Sequence, residues 1–580
     1  MHNLEELQIH LGKSGPNRTV VFDGQQFATH TAIYGGTGKG KSKLLELILR
    51  QLIDQKAGAC IIDPHGDLVE DLIAYVLHRY DGTDAALVRR IHYFEPGSNM
   101  GRFRFDPFKY DPLPGEDYNA WLKAKVESVA RTIIRKQGEA GFEGKPRLER
   151  FLTNTLYAAG VRINREGDHL GVGDALILLD PSHPQHHAIY EVVAPLLPSE
   201  IRSDFEKIRA SKPRQQEDWV ESTINRLRSF LSPPIRSLFN GPARETLDFR
   251  NIVQQSGIML VNLRRTRSFT VDQGNAIGGL FINEILEAVQ ITERAARKPF
   301  YLFIDEASRF VGQDLMDTLA QFRKMKLSLC LAVQDLSSLK FREIDMTSKV
   351  MSQCGVQVTF QQKFPEDLDV LGQLFGYPVL DFTPLVHEVD RPDGYVTVEH
   401  TDTSASESNS RGAITNESES RRMFTGQNNL TLADGSSDSR SRSDSFSRQS
   451  KTTFLSKYRQ ELQETGRLKQ AITDQFHRIK QMLRTLGVGQ AIVSVDGTEP
   501  FPLDVHEVKS PFPSFSEEQR LELVDRYKGY LSKQHLYCFQ ATDENDEETR
   551  VADFVAKAAR PAVPMQDENP PENEEDIFGM

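Results

Sequence analysis

Gly35-Gly36-Thr37-Gly38-Lys39-Gly40-Lys41-Ser42 is the stretch of the 580-residue sequence that decides the fold. It follows a short apolar run, Ala32–Tyr34, and leads into Lys43–Gln55, where leucine recurs at helical spacing. A glycine-rich loop between a strand and a helix is typical of a phosphate-binding loop. Its glycines let backbone N–H groups converge on phosphate oxygens, and the helix N-terminus adds partial positive charge. The sequence therefore predicts a binding site for a nucleoside triphosphate.

This loop supplies both a positive charge and a metal ligand to the predicted nucleotide. Lys41 is expected to reach the β- and γ-phosphates, and the Ser42 hydroxyl is expected to bind Mg²⁺. ATP and Mg²⁺ are therefore the predicted cofactors. The predicted nucleotide-binding residues are Gly35, Gly36, Thr37, Gly38, Lys39, Gly40, Lys41, Ser42 and Lys43.

The second part of the site is predicted at the end of the apolar run Phe300–Ile304, which Asp305 and Glu306 follow. Asp305 is expected to hold the Mg²⁺ shell, and Glu306 is the candidate general base for the water that attacks the γ-phosphate. Such an acidic pair indicates an enzyme that hydrolyses ATP. The next apolar run, Leu327–Val333, ends at Gln334, which is either a γ-phosphate sensor or an ordinary polar residue at a strand end.

Short apolar runs separated by helical segments indicate an α/β fold, a P-loop NTPase (RecA-like) with a mainly parallel sheet buried on both faces. Helices are predicted over Asp314–Lys324 and Lys457–Leu486, and a closing strand over Gln490–Val495. The predicted organisation is a first part of the ATPase core (1–114), a mainly helical insertion (115–252), a second part of the core (253–400), a serine-rich low-complexity segment (401–454), a region with a basic helix and the closing strand (455–540) and an acidic tail (541–580).

Length and charge restrict the possible functions. At about 150 residues per domain, the chain should hold two to four folded units. Asp and Glu outnumber Lys and Arg by 82 to 70, a formal net charge of −12, which argues against a protein that coats nucleic acid. Residues 541–580 alone contain twelve acidic and three basic residues, however. Because the preceding 540 residues carry only −3, the objection to DNA binding largely disappears.

The sequence predicts a cytoplasmic location. Its N-terminus lacks a basic region followed by an apolar run, so no secretory signal is expected. The apolar runs are far shorter than the ~20 residues that a membrane helix needs, and no membrane span is expected. The cysteines have no metal-ligand spacing and are interpreted as reduced thiols. They are Cys60, Cys330, Cys354 and Cys538.

Two segments lack a globular composition. Fourteen serines fall within Thr401–Ser450, which predicts a disordered segment. Because several of these serines alternate strictly, an exposed hairpin is the alternative. The chain ends in EEDIFGM, residues 574–580, which either docks in a basic-rimmed pocket of a partner effector or nuclease, or only keeps the tail solvated.

These motifs together resemble the HerA–FtsK superfamily of ring ATPases. The resemblance is carried by the loop at 35–42, ACIIDPHGDL at 59–68, FIDEA around Glu306 and LAVQD about thirty residues later. It is strongest to the type IV coupling-protein and HerA-like branch of conjugative DNA transfer, and it covers roughly residues 15–400 and 455–500. It implies a homohexameric ring that binds nucleotide between subunits and moves DNA through a central pore.

The resemblance also implies roles for individual residues. Arg323 matches an arginine that reaches the nucleotide of a neighbouring subunit, although FRKMK is also an ordinary solvated helix end. The rival candidates are Arg264, Arg265 and Arg267. Three residues of the DPHGDL segment are expected near the nucleotide without separate roles, namely Asp63, His65 and Asp67. The matching catalytic positions are Lys41, Ser42, Asp305, Glu306 and Gln334.

The sequence departs from the family in two ways. Membrane-bound coupling proteins begin with transmembrane helices and HerA begins with a small β-barrel, whereas only about thirty residues precede the loop here. We therefore interpret the chain as a soluble, truncated relative. No nucleic-acid recognition motif is present, so DNA is expected to be bound through its backbone, with Lys324, Lys326 and the arginines at 264–267 as contributors.

Three functions are compatible with these patterns. The first is an ATP-hydrolysing DNA translocase. The second is a ring ATPase that acts as a scaffold or regulator for a partner effector, either a nuclease or a secreted protein. The third is a non-catalytic assembly module that responds to nucleotide, which the presence of Glu306 disfavours.

Overall fold

The computed structural model describes most of the chain and divides it into two units. One unit comprises Met1–Val379 with Asp474–Met580, and the other is Leu380–Thr473. The described residues are 7–16, 18–80, 84–98, 102–110, 112–136, 145–239, 246–310, 319, 321–341, 344–376, 386–403, 448–464, 468–496, 498–535, 537–539 and 547–558.

An eleven-stranded sheet forms the centre of the first unit. The described strands are β1 (Gln8–Ser14), β2 (Arg18–Asp23), β3 (Thr31–Tyr34), β4 (Gly58–Asp63), β5 (Ile91–Phe94), β6 (Arg102–Phe103), β7 (Ile258–Asn262), β8 (Phe300–Ile304), β9 (Leu327–Val333), β10 (Lys340–Phe341), β11 (Ile344–Asp345), β12 (Val356–Thr359), β13 (Val386–Thr403), β14 (Arg448–Glu464), β15 (Gln490–Val495), β16 (Phe501–Val505) and β17 (Cys538–Phe539). The sheet order is β2-β1-β16-β15-β12-β3-β9-β8-β4-β7-β5. Neighbours from β12 to β5 are parallel. The predicted α/β fold with a mainly parallel sheet is confirmed.

Helices connect most of these strands. They are α1 (Gly24–Phe27), α2 (Lys41–Asp54), α3 (Asp67–Tyr80), α4 (Ala85–Val88), α5 (Tyr118–Lys136), α6 (Pro146–Gly160), α7 (Leu176–Leu179), α8 (His186–Val193), α9 (Ser199–Ala210), α10 (Pro213–Phe230), α11 (Ile235–Leu238), α12 (Phe249–Gln254), α13 (Val271–Ile291), α14 (Thr347–Gln353), α15 (Pro365–Gly376), α16 (Leu468–Thr485), α17 (Glu517–Ser532) and α18 (Glu547–Ala558). Among the helices in the described ranges, none is both long and apolar enough to cross a membrane.

The parallel strands are buried on both faces, which explains why their sequences are continuously apolar. Along β3, Ala32 and Tyr34 face one hydrophobic core, whereas Ile33 faces the other. The first core is completed by helices that include α5 and α13, and the second by α2, α3 and α17. Because helices cover both faces, the predicted nucleotide site is expected at an edge of the sheet formed by strand ends.

The predicted insertion, 115–252, contains α5 to α12, and its described residues include no strand. A buried ion-pair cluster joins this region to α13 of the core. The Lys125 ammonium donates to the carboxylates of Glu284 and Glu287, and Lys125 and Glu284 are only 7% and 1% exposed. Since charges removed from water need compensation, each partner depends on the other.

We expect Lys125→Ala to destabilise the protein by about 3–5 kcal/mol, because it leaves the buried Glu284 carboxylate without its main partner. Chemical denaturation measures this loss. Lys123→Ala, on the exposed face of the same helix, should change stability by no more than about 0.5 kcal/mol. Adding Glu284→Gln to Lys125→Ala should recover part of the loss, and an unchanged Lys125→Ala protein would contradict this assignment.

The second unit differs from its predicted structure. Residues predicted to begin a basic helix at Lys457 instead belong to β14, and α16 begins only at Leu468. The strand β14 pairs antiparallel with β13, from Val386 opposite Glu464 to Thr403 opposite Arg448. A strand of this length was missed because its residues carry no continuous apolar run. Residues 404–447, most of the predicted serine-rich segment, lie outside the described residues.

Part of the predicted acidic tail packs on the helical insertion. In α18, Glu547 pairs with Arg236 at 2.5 Å, Arg550 with Asp174 at 2.9 Å, and Lys557 with Asp168 at 3.1 Å. Val551 and Phe554 of the same helix are buried. The C-terminal EEDIFGM segment lies outside the described residues, and its docking role stays a prediction.

Candidate nucleotide-binding site

The glycine-rich loop lies at the carboxyl edge of the parallel sheet, between β3 and α2. Two hydrogen bonds fix its start: the Gly35 N–H donates to the Val333 carbonyl at 3.2 Å, and the Gly36 N–H donates to the Gln361 carbonyl at 3.3 Å. Gly40 has φ of 120°, and a Cβ there would lie 3.0 Å from the Phe360 ring. Glycine is therefore required at Gly40 for both conformation and space.

Lys41 lies inside the loop that it is predicted to serve. Its ammonium donates to the carbonyls of Gly35 at 2.5 Å and Gly36 at 3.2 Å, and the side chain is buried. Burial lowers the pKa of Lys41, while the charges of Asp305 and Glu306 oppose that shift. The loop thus holds a positive charge at its centre, where phosphate oxygens would compete with the two carbonyls.

Ser42 and Asp305 meet at one side of this loop. The Ser42 hydroxyl donates to Asp305 Oδ2 at 3.4 Å, and Asp305 directly follows β8. Burial raises the pKa of Asp305, although a hydrogen bond from the Glu306 N–H at 3.0 Å and the Lys41 charge favour the carboxylate. A hydroxyl and a buried carboxylate are oxygen ligands of the kind that Mg²⁺ prefers. These two residues therefore fit the predicted metal site.

Glu306, the candidate general base, is held by three side chains. It accepts hydrogen bonds from Gln334 Nε2 at 2.8 Å and Arg309 Nε at 2.5 Å, and its Oε1 lies 2.8 Å from His65 Nε2. Burial acts to raise the pKa of Glu306, but the His65 hydrogen bond and the Arg309 charge outweigh it and leave the pKa lowered. Glu306 also has a φ of +47°, a conformation that non-glycine residues rarely adopt.

Gln334 connects the general base to the phosphate-binding loop. Its Nε2 donates to Glu306, and its Oε1 accepts from the Thr37 hydroxyl at 3.3 Å. Since Thr37 is at the tip of the loop, a γ-phosphate there could reach the amide and the threonine together. This placement is compatible with the predicted sensor role of Gln334.

We expect Gln334→Ala to lower kcat for ATP hydrolysis by about 10- to 100-fold, because the Glu306 carboxylate loses a hydrogen bond that orients it. ATP affinity should change much less, since Gln334 touches only the tip of the loop. Steady-state kinetics separates the two effects. Gln255→Ala, at an exposed amide beyond α12, is the matched control, and equal rates for the two variants would refute the coupling role.

Comparisons with known proteins identify a family model and solved structures that are similar to this chain. Residues 9–112 match the family model of the central domain of the helicase HerA. The matched range contains both the glycine-rich loop and the DPHGDL segment. The HerA–FtsK resemblance is confirmed. The bacterial conjugative coupling protein TrwBdeltaN70, in its unbound monoclinic form, shares the fold at a TM-score of 0.50 and 11% identity, over 88% of this chain and 92% of that chain.

Two further solved structures are similar at lower scores. The plasmid coupling protein TrwB in complex with ADP and Mg²⁺ has a TM-score of 0.48 and 13% identity, over 89% of this chain and 93% of that chain. VirB4 of Thermoanaerobacter pseudethanolicus has a TM-score of 0.48 and 14% identity, over 87% of this chain and 98% of that chain. No curated protein gives a significant sequence match.

The residues singled out in the DPHGDL segment make different contacts. Asp63 accepts hydrogen bonds from the N–H groups of His65 at 2.9 Å and Val69 at 3.1 Å, so it stabilises the turn into α3. Burial raises the pKa of Asp63 to about 6. Asp67 pairs at the surface with Arg264 at 2.8 Å. Of the three residues singled out in this segment, His65 is the one that contacts a predicted catalytic residue.

The candidate trans-acting arginines differ in position. Arg264 is paired within the chain, with Asp67 and with Glu70 at 3.0 Å, whereas Arg265 and Arg267 are exposed. Arg323 is also exposed, at the amino end of β9. Burial lowers the pKa of His30, the residue before β3, and the charge of Arg323 lowers it further. Most of the predicted helix Asp314–Lys324 lies outside the described residues, and Arg323 begins a single 3₁₀ turn.

The side-chain contacts of Arg309 and Lys43 were not predicted from the sequence either. Arg309 lies three residues after Glu306, a spacing that places two side chains on the same side of a helical turn and could have indicated the pair. Lys43, predicted to bind nucleotide, pairs its side chain with Glu46 at 2.7 Å and Asp71 at 2.8 Å. Its backbone N–H, rather than its ammonium, is therefore the group available to a phosphate.

Proposed function

We propose that this chain hydrolyses ATP in the presence of Mg²⁺ and that, assembled as a homohexameric ring, it uses the reaction to move DNA through a central pore. The observation that carries the hydrolysis is the convergence of the Lys41 ammonium, the Ser42–Asp305 pair and the Glu306 carboxylate at one edge of the sheet. These groups provide phosphate charge neutralisation, metal ligands and a general base.

In the proposed reaction, Lys41 exchanges its two loop carbonyls for β- and γ-phosphate oxygens. Ser42 and Asp305 would hold Mg²⁺, which would supply positive charge to the phosphates. Glu306 accepts a proton from the attacking water. Its lowered pKa keeps it ionised at neutral pH, and Gln334 and Arg309 orient the carboxylate. A γ-phosphate that engages Thr37 and Gln334 would change this orientation and so couple binding to catalysis.

The position of Arg323 supports a composite site between subunits. Gln334 follows β9 at the carboxyl edge, whereas Arg323 precedes it, so the seven residues of the strand, about 20 Å, separate the two ends. Arg323 therefore cannot serve the nucleotide of its own subunit. An arginine at the opposite edge is well placed to contact the nucleotide of a neighbour in a closed ring.

Mixing inert variants tests this arrangement. Arg323→Ala and Lys41→Ala proteins should each lack ATPase activity, and mixed rings should recover part of it, because an intact loop can meet an intact arginine across an interface. Arg265→Ala and Arg267→Ala should be tested in the same way. Recovery with one of these and not with Arg323→Ala would reassign the trans-acting arginine, while no recovery in confirmed mixed rings would contradict a composite site.

DNA as the cargo is supported by the names of the similar proteins, a helicase central domain and a conjugative coupling protein. The exposed Lys324 and Lys326 offer sequence-independent contacts to phosphates, which a ring would repeat in every subunit. Duplex or single-stranded DNA should therefore stimulate ATP hydrolysis at low salt, and rising salt should remove the stimulation. An ATPase rate indifferent to both DNAs would instead favour the ring as a scaffold for a partner effector.

A further inference from the structure

An exposed apolar residue belongs to a loop that adjoins the phosphate-binding loop and has no part in the reaction proposed above. It belongs to Val488, in the loop that connects α16 to β15 and that we call the Val488 loop (residues 486–490). Val488 is 73% exposed, the largest value among the exposed large hydrophobic residues described. An isolated exposed valine needs no explanation, but this one is fixed in place.

Backbone hydrogen bonds attach the Val488 loop to the glycine-rich loop. The Gly489 N–H donates to the Lys39 carbonyl at 3.0 Å, and the Gly489 carbonyl accepts from the Val505 N–H at 2.9 Å. A Cβ built on Gly40 would lie only 3.4 Å from the Gly489 Cα. The Gly487 N–H also donates to the Gln490 side chain at 2.9 Å. The Val488 loop is therefore built against the phosphate site.

The order of the strands indicates which part of a nucleotide would lie there. The glycine-rich loop follows β3, whose neighbours in the sheet are β9 on one side and β12 on the other. Asp305 and Glu306 follow β8, beyond β9, so the γ-phosphate end of the nucleotide must be directed to that side. The base end of the nucleotide is then directed toward β12 and β15, and the Val488 loop leads directly into β15.

We propose that the Val488 loop is the base-binding surface of this site, with the Val488 side chain packed on the face of the adenine ring of ATP. This inference rests on the proposed nucleotide-binding function and extends it from the phosphates to the base. Adenine presents a flat apolar face, and covering it would remove the valine side chain from water. The hydrogen bonds that hold the loop would pre-organise this contact.

The test compares binding of Mg²⁺-ATP and of inorganic tripolyphosphate, which has the phosphates without the base, by calorimetry on the full chain. Val488→Ser should weaken ATP binding by about tenfold, because it removes the buried apolar contact, and should leave tripolyphosphate binding unchanged. Val488→Ile should retain ATP affinity. Val21→Ser, at an exposed valine on β2, the edge strand three strands away from β15, is the matched control.

The other outcomes overturn the proposal in distinguishable ways. If Val488→Ser weakened the binding of ATP and of tripolyphosphate equally, Val488 would act through the shape of the phosphate-binding loop. Unchanged binding of both would mean that the base lies elsewhere, and a changed assembly state with unchanged ATP affinity would place Val488 at a subunit interface. If the unaltered chain bound neither ligand, the proposed ATPase function itself would fail.

Discussion

Replacing Lys41 with alanine is expected to lower ATP hydrolysis by at least about 100-fold. The Lys41 ammonium is the positive charge inside the glycine-rich loop, where it now bonds the carbonyls of Gly35 and Gly36. Without it, charge that develops on the γ-phosphate loses its nearest compensation. Release of inorganic phosphate from ATP measures the effect.

Lys533→Ala is the matched control for this substitution, because Lys533 is an exposed lysine at the end of α17. It should hydrolyse ATP at the rate of the unaltered protein. The Lys41→Ala protein should keep its thermal stability, since its ammonium bonds only two carbonyls of the loop. Full activity of Lys41→Ala would refute the phosphate-binding assignment.

Replacing Glu306 with glutamine is expected to lower kcat by about 10²- to 10⁴-fold while ATP still binds. The amide has nearly the same shape as the carboxylate and can keep the Gln334 contact, but it cannot accept a proton from water. Because Lys41, Ser42 and Asp305 are untouched, ATP affinity should persist and any ATP-dependent assembly should be trapped. Single-turnover hydrolysis and equilibrium binding of ATP measure the two effects separately.

The control for the glutamine variant is Glu293→Gln, at an exposed carboxylate beyond α13. It should leave both binding and hydrolysis unchanged. Loss of ATP binding together with hydrolysis in Glu306→Gln would show that this residue acts on the structure of the site rather than on the attacking water. Retained hydrolysis would require another base.

The parts of the site that could be predicted from sequence are those encoded within a few residues. Residues 35–42 carry their own geometry, since the glycines and the following helix form a phosphate site locally. The positions of Asp305 and Glu306 can be predicted because both residues follow an apolar run, and parallel strands end at one edge of a sheet. The α/β fold follows from the same continuous runs, each of which proved to be a strand buried on both faces.

What could not be predicted depends on residues far apart in the chain. His65 lies 241 positions from Glu306, and Thr37 lies 297 positions from Gln334, so no local pattern reports their hydrogen bonds. Lys125 looks like one more polar residue of a solvated helix, yet its partner Glu284 is 159 positions away. The strand β14 was missed for a related reason, because its pairing with β13 spans the serine-rich segment.

Movement along DNA tests the central claim most directly. A triplex-forming oligonucleotide on a duplex, and a streptavidin bound to the end of a single strand, report translocation when they are displaced. The proposed motor should displace at least one of them with ATP, and neither with ADP or as the Lys41→Ala variant. Active ATP hydrolysis by assembled rings on DNA, with neither obstacle displaced, would contradict the account.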